Sequence, residues 1–502
     1  MSRIFDLLVI GGGINGAAVA RDAVGRGLTV YLAEAGDYAH ATSLASSKLI
    51  HGGIRYLEQY EFRLVRESLR EREVLMRTAP HLVFPLEFLL PITADQPRPA
   101  WMVHIGLRLY DFLSGRRLLG RSGRLSRAAM AAIPRFRKGR ARAVMHYPDC
   151  WTDDARLTLE TLLDARSRGA DIGNYRRVTS VAVVDGLYTA EVESHGAQET
   201  VRARSLVNAA GPWAARLLGT VTGADGQHPA ARGLKLVRGS HVVIPMPEPQ
   251  ETRAFTLQNT DGRVVFVLPW LGRFLILGTT DVVHQGDPAS VQCTDAERDY
   301  LLACYRDFFD HAVGPDDVVW TWSGVRPLVD DGSANPSEVT RDYVIDLKQP
   351  GAGPLVTIYG GKLTTHRKLG EHVMDTLAQA GIALGPSWTE HAPLHGGQLD
   401  RAQLAVLAET GPDLIAPVVR QRWVFTYGDV TRDLYARVLA EPALAVEVAP
   451  GLPEVELLHA ATVEDAVTAE DFLYRRTKTF IVLDDAGRAA VAAWFAARNR
   501  RA

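Results

Sequence analysis

Cysteine is scarce. The chain has three in 502 residues, at positions 150, 293 and 304, and no two form C-x-x-C. That spacing excludes a dithiol relay and gives a zinc site no framework. It fits small thiols in a reducing compartment. Long apolar runs are missing too. None approaches the roughly 18 residues of a spanning helix, and Glu87 and Arg273 interrupt the two best candidates. A first strand that begins about five residues in leaves no room for a signal peptide. Charge of one sign is also lacking: the net charge of −2 argues against general nucleic-acid binding. There are no internal repeats and no low-complexity tracts. What remains is a soluble globular composition, 47% hydrophobic and 23% charged. The length allows two or three domains.

The chain is organised around residues 5–35, FDLLVIGGGINGAAVARDAVGRGLTVYLAEA. Leu7 to Ile10 is wholly apolar, as a buried parallel strand requires. Gly11, Gly13 and Gly16 then fall in G-x-G-x-x-G, alanine-rich helix formers follow, and Thr29–Ala33 reads as a second strand ending at Glu34. Gly11 permits a tight turn, Gly13 leaves room for a pyrophosphate, and Gly16 lets the helix pack closely on the strand. The free amides of the helix start face phosphate, and Glu34 can accept from a ribose diol. The unit predicts dinucleotide binding and leaves NAD and FAD open.

Residues 41–75 begin with small hydroxyl side chains, Thr42, Ser43, Ser46 and Ser47, and continue as a charged amphipathic helix from about Leu57. Small polar residues let a backbone approach a flat ligand and donate hydrogen bonds to it. Together, GGGINGA, ATSLASSKLIHGGIRYLE and EFRLVRESLREREVL resemble the bacterial aerobic FAD-dependent glycerol-3-phosphate dehydrogenases, within the D-amino-acid-oxidase-like flavoproteins. The resemblance implies FAD rather than NAD, with Ser46, Ser47 and Lys48 on its phosphate and flavin side. It implies α/β and α+β architecture: a Rossmann-type FAD-binding domain (1–75, 146–228, 328–389) interleaved with a mixed or antiparallel-sheet substrate domain (76–145, 229–327), plus a C-terminal helical cap domain (390–502). No motif points to a covalent flavin link.

Further along, residues 80–92 read as proline-punctuated strands. Residues 98–125 open with a strongly apolar helix, and Arg108, Arg116, Arg117, Arg121, Arg124 and Arg127 oppose a lone Asp111. Arg135, Arg137, Lys138, Arg140 and Arg142 follow. Either this is a solvated basic surface beside a core helix, or it touches anionic lipid heads. A strand, a turn and a helix capped near Asp153 are expected over 146–172. The strand ending at Ala209-Ala210-Gly211 resembles the family's second FAD contact, through Ala209 and Gly211. A strand ending at Gly360-Gly361, followed by Lys362, Leu363 and a helix start near Thr364, is the segment that closes the FAD site in that family. His366 stands where a tyrosine is expected. Arg326 is expected in a turn before Pro327.

Oxidation of an alcohol by a flavin removes a hydride from carbon and a proton from the hydroxyl. Arg55 and Tyr56, directly after the HGGI turn, could clamp a phosphate with Arg326 and Lys362. His51 and His241 lie in motifs and titrate in the right range for proton transfer, and Arg326 is expected near the same oxygen. The resulting expectation is oxidation of sn-glycerol 3-phosphate to dihydroxyacetone phosphate. The alternatives are an oxidase that uses oxygen, a flavin dehydrogenase of another hydroxy acid or amine, and a flavin-binding redox sensor. No cysteine pair, haem motif or iron–sulfur spacing can carry electrons onward, so the acceptor must reach the flavin. The resemblance implies a membrane quinone, hence peripheral attachment to anionic lipid at the cytoplasmic face of the inner membrane. It leaves room for a homodimer.

Overall fold

In the computed structural model, which describes residues 3–57, 60–96, 99–115, 118–259, 261–330 and 342–500, the strand-helix-strand unit forms in order. Strand β1 (Ile4–Ile10) leads into helix α1 (Ile14–Gly25) and strand β2 (Val30–Ala33). β1 lies between β2 and the strand Ala197–Asn208, parallel to both. Its Leu7, Leu8 and Val9 are fully buried, which is why its inner half reads as one apolar run with no alternation. Asp171–Gly173 extends the parallel sheet beyond β2, and Leu355–Tyr359 extends it beyond the end of Ala197–Asn208. The front half of Ala197–Asn208 instead pairs antiparallel with Leu187–Ser194, which pairs with Arg176–Val184. Helices Asp154–Ser167 and His366–Gln379 pack against α1.

Among the described residues a second, mostly antiparallel sheet of ten strands carries the middle of the chain. Its long pairs are Val83–Ile92 with Ala143–Thr152, and Leu234–Pro245 with Trp320–Val329. Leu49–Ile50 joins the same sheet. The strand Ala143–Thr152 therefore runs through the 145/146 boundary. Pro85 and Pro91 sit in a strand whose other neighbour pairs only at Phe88 and Leu89, so neither proline removes a donor from that ladder.

Two elements differ from the sequence expectation. Helix α2 (Phe62–Thr78) begins at Phe62 rather than near Leu57. Ile54–Leu57 forms a separate 3-10 turn, and Tyr60, at φ +58°, breaks continuity with the helix. Arg326 lies inside the strand Trp320–Val329, opposite Val237, and not in a turn. Among the described strands Trp320–Val329 pairs with Leu234–Pro245 alone. It is an edge strand, where Pro327 is tolerated.

Beyond residue 400 the chain is mainly helical: Arg401–Glu409, Pro417–Tyr427, Thr431–Ala440, Glu454–Thr462 and Asp485–Asn499. Buried ion pairs fasten this part to the dinucleotide-binding half. Arg476 donates to both carboxylate oxygens of Asp37 at 2.7 and 2.8 Å, Lys478 Nζ donates to Asp153 at 2.8 Å, and Arg156 donates to Glu464 at 2.6 Å. Asp153 also caps its helix, accepting from the Arg156 amide.

Helix α3 (Ala100–Leu113) buries only Leu107, Tyr110 and Asp111. Trp101, Ile105 and Phe112 are 63%, 59% and 76% exposed. Arg116 and Arg117 lie outside the described residues. Of the basic residues further on, Arg140 pairs with Asp95 and Asp307, and Arg135 and Arg137 donate to backbone carbonyls. No described helix is long and apolar enough to cross a membrane.

Candidate active site

Three loops from the carboxyl ends of parallel strands meet over one cavity of about 1420 Å³. The first is the turn after β1. Gly11 has φ +117°, and a Cβ there would lie 2.5 Å from the Ala209 carbonyl oxygen. Gly13 caps α1 in extended conformation and lines the cavity with Ile14 and Asn15, so the amino end of the helix faces the cavity, its first amide, Ile14, held by Ser43 Oγ at 2.9 Å. A Cβ on Gly13 would meet only Ser43 Oγ, at 3.1 Å. Gly16 faces the other way. Its Cβ would fall 1.9 Å from the Gly11 carbonyl oxygen, so only glycine brings helix and strand this close. Glu34, at the end of β2, accepts from the amides of Gly12 (2.6 Å) and Gly36 (2.8 Å) and still lines the cavity.

The second loop is Ala209–Gly211, where the Ala209 amide donates to the Ile10 carbonyl. The third is Gly360-Gly361, both at positive φ, tied to α1 by Asn15 Nδ2, which donates to the Gly360 carbonyl at 2.9 Å. Lys362, Leu363 and Thr364 continue this third wall, and Thr364 Oγ1 accepts from the His51 amide. His366 turns inward. Its Nδ1 is 2.7 Å from the Leu363 carbonyl oxygen, and burial holds the imidazole down at about 4.

The hydroxyl-rich loop divides its side chains. Thr42 Oγ1 donates to the Val325 carbonyl, and Ser43 Oγ accepts from Ile14 at the helix start. Ser46 Oγ and Lys48 Nζ both donate to buried Asp154, at 2.7 Å each. Lys48 is wholly buried and does not line the cavity; Thr42, Ser43, Ser46 and Ser47 do. Ser47 Oγ is 2.9 Å from His241 Nε2.

The two histidines are thereby separated. His51 lines the cavity, edge-on to Phe266 with ring centroids 6.2 Å apart. His241 is 1% exposed, stacked on Trp322 at 4.7 Å, and reaches the cavity only through Ser47. Burial, with the charges of Arg326 and Lys48, holds it well below the usual imidazole range, so it is neutral near pH 7.

The residues expected to clamp a phosphate share this cavity. Arg55, Tyr56, Arg326 and Lys362 all line the cavity, and Lys362 Nζ sits 3.7 Å above the Tyr56 ring. Their companions lie outside the motifs that mark the arginines. Arg326 Nη1 donates to Asp281 at 2.5 Å and Nη2 to Thr279 Oγ1 at 3.1 Å. Asp281 ends the run Thr279-Thr280-Asp281 just after the strand Phe274–Gly278. Small hydroxyls and an acid at a strand end are the same kind of signal as Thr42–Ser47. No described group of histidine, cysteine and acidic residues could hold a metal.

The arrangement fits FAD. A helix terminus facing the cavity and a glycine without Cβ suit a pyrophosphate, an acid ends the second strand, and the cavity continues from there to His51 and the arginines. Comparison with known proteins agrees. The family described as FAD dependent oxidoreductase matches residues 6–367, and the C-terminal domain of alpha-glycerophosphate oxidase matches 387–498. The chain is 42% identical over 496 residues to the aerobic glycerol-3-phosphate dehydrogenase of Escherichia coli (strain K12), covering 97% of each chain. It is also 42% identical over 499 residues to the D-erythritol 1-phosphate dehydrogenase of Brucella abortus (strain 2308), covering 98% of this chain and 97% of the relative. The FAD-bound glycerol-3-phosphate dehydrogenase of Bacillus halodurans superposes with a TM-score of 0.79 at 29% identity, covering 100% of this chain and 92% of that one.

Proposed function

The chain belongs to the FAD-dependent oxidoreductases, with an alpha-glycerophosphate-oxidase C-terminal domain, and from that premise we propose that it oxidises sn-glycerol 3-phosphate to dihydroxyacetone phosphate. The observation that carries the reading is the meeting of Arg55, Arg326 and Lys362 with His51 in the cavity that fits FAD. The glycerol-3-phosphate dehydrogenases among its relatives support it.

FAD, held noncovalently, supplies a two-electron acceptor for the carbon–hydrogen bond beside the hydroxyl. The guanidinium groups of Arg55 and Arg326 grip the phosphate with charge-assisted hydrogen bonds, and Lys362 adds a point charge. Tyr56 orients Lys362 from below. His51, which faces the cavity, takes the hydroxyl proton as the hydrogen leaves carbon. Neutral His241 orients Ser47. The loops at Gly11–Gly16, Thr42–Ser47, Ala209–Gly211 and Gly361–Thr364 would hold the cofactor, and Glu34 would accept from its ribose. Lys48 acts from behind, holding its loop through Asp154. The chain divides into FAD, substrate and helical domains, with Ala143–Thr152 in the substrate part. No described residue of the helical domain lines the cavity, so that domain buttresses the site from behind.

Electrons pass to a membrane quinone. The exposed face of α3 rises beside the cavity, which Met102, Val103 and Ile105 help to line. An apolar face flanked by exposed Arg121, Arg124 and Arg127 suits peripheral contact with an anionic leaflet at the cytoplasmic face. A homodimer is compatible with this attachment.

A second reading is a four-carbon polyol phosphate, since the erythritol-phosphate relative is as similar as the glycerol-phosphate one. Anaerobic mixing of the protein with glycerol 3-phosphate or erythritol phosphate, followed by flavin absorbance, decides between them. Rapid bleaching by glycerol 3-phosphate is expected. Bleaching only by the four-carbon compound, or by neither, overturns the first reading. Fast hydrogen peroxide production in air, with no vesicle binding, would replace the quinone by oxygen.

A further inference from the structure

We infer that Asp281 is a positioning residue. It sets the Arg326–Arg55 pair for a phosphate monoester and keeps free anions from occupying it. The inference rests on the substrate reading above.

The turn that carries Asp281 is built rigidly. Thr280 Oγ1 accepts from the Ser240 amide at 3.0 Å and donates to Glu297 at 2.8 Å; Ser240 Oγ donates to the same carboxylate at 2.9 Å. Glu297 is in turn held by Arg238 at 2.9 Å. On either side of the turn, Phe274–Gly278 and Val282–Val283 both pair with Leu234–Pro245. The turn is thus clamped from both ends and from beneath. The side chains of Thr279 and Asp281 line the cavity.

Asp281 faces each arginine with a different oxygen. Oδ1 is 2.5 Å from Arg326 Nη1, and Oδ2 is 3.9 Å from Arg55 Nη1. The carboxylate is only 7% exposed, whereas Arg326 and Arg55 are 25% and 32% exposed. Two guanidinium groups side by side repel each other, and a fixed carboxylate between them offsets that repulsion. It also fixes the plane of the Arg326 fork, whose second nitrogen is set by Thr279. A bound substrate then meets arginines already oriented, and the ordering cost is lower. The same carboxylate competes with any small anion for Arg326. A substrate whose remaining hydroxyls also bind overcomes that competition more readily than inorganic phosphate does.

The test compares holoenzyme carrying Asp281→Asn or Thr279→Val with the parent. Two quantities are read: steady-state kcat and KM for glycerol 3-phosphate, and equilibrium titration of the oxidised protein with inorganic phosphate, followed by flavin absorbance. For Asp281→Asn the expectation is retained FAD, kcat lower by about tenfold or more, KM unchanged or lower, and phosphate binding about tenfold tighter. Thr279→Val keeps the charge, so kcat should fall without tighter phosphate binding. Phosphate affinity and kcat within twofold of the parent in Asp281→Asn overturn the proposal. So does equal tightening of phosphate in both variants, or loss of FAD in Asp281→Asn together with normal kcat in Thr279→Val. The phosphate titration needs no turnover, so it judges Asp281 even if the parent fails to oxidise glycerol 3-phosphate, which would count against the substrate reading alone.

Discussion

Gly16 and Gly13 sit three residues apart in one motif, yet alanine at each should fail differently. At Gly16 the added methyl would lie 1.9 Å from the Gly11 carbonyl oxygen. Non-bonded carbon and oxygen are not found closer than about 3 Å, so α1 must withdraw from β1 by more than about 1 Å. The clash is with backbone and Gly16 itself is buried, so no flexible side chain can absorb the shift. Overpacking of this kind costs about 1–3 kcal/mol or more. The withdrawal also carries the amino end of α1 away from the cavity, so FAD affinity falls with stability. At Gly13 the methyl meets only Ser43 Oγ at 3.1 Å, and the backbone is extended, which alanine adopts freely. The apoprotein should then melt close to the parent, while the methyl projects into the space a pyrophosphate needs. Thermal melts of apoprotein and FAD titration of both variants separate these effects. Gly16→Ala should lose both stability and FAD affinity, and Gly13→Ala FAD affinity alone. A Gly16→Ala apoprotein as stable as the parent would refute the packing argument. A Gly13→Ala protein with undiminished FAD affinity would refute the placement of the pyrophosphate.

Arg326→Ala or Arg55→Ala should keep FAD and lose charge-assisted hydrogen bonds of roughly 1.5–3 kcal/mol each, seen as a ten- to hundredfold or larger fall in glycerol 3-phosphate turnover; unaltered kcat/KM in both removes the clamp. In anaerobic flavin reduction, His51→Gln should be slower by about 10²–10⁴-fold, and His241→Gln should resemble Ser47→Ala because it acts through that hydroxyl. Equal, near-normal rates in His51→Gln and His241→Gln would exclude histidine as base. Trp101→Glu combined with Ile105→Glu should abolish sedimentation with anionic vesicles without altering FAD content, and full retention of binding moves the membrane surface elsewhere. Acid should destabilise the fold through His81 and His366, both buried and both held near 4 by that burial. Each is neutral when folded and titrates near 6.5 when unfolded, so its contribution is full above about pH 6.5 and is lost as pH falls toward about 4, on the order of 3 kcal/mol each. His395 acts in the opposite direction. Burial pushes it down, but Glu160 outweighs burial and raises it, so its contribution fades as pH rises instead. Denaturant melts at about pH 7.5 and about pH 5 should show the net acid loss, and His81→Gln should reduce it.

Much of the molecule was legible in one dimension because the interactions concerned are local or periodic. The glycine spacing, the apolar core of β1, the Asp153 cap three residues from its amide and the helical character beyond residue 400 each depend on neighbours along the chain. So does the pairing of a glycine-rich turn with an acid at the end of β2. The tertiary structure alone decided which side chains face the cavity. Ser46 and Lys48 turn toward Asp154, more than a hundred residues away. His241 is withdrawn behind Ser47, while His51 is held at the wall by Thr364. Arg326 entered a strand because its partner Leu234–Pro245 offered a free edge, which no local pattern around Pro327 announces. Asp281 meets Arg326 across 45 residues. In a strand a shift of one residue turns a side chain to the other face, so orientation is set by register with a distant partner. Sequence periodicity specifies that a face exists, and only packing fixes what the face meets.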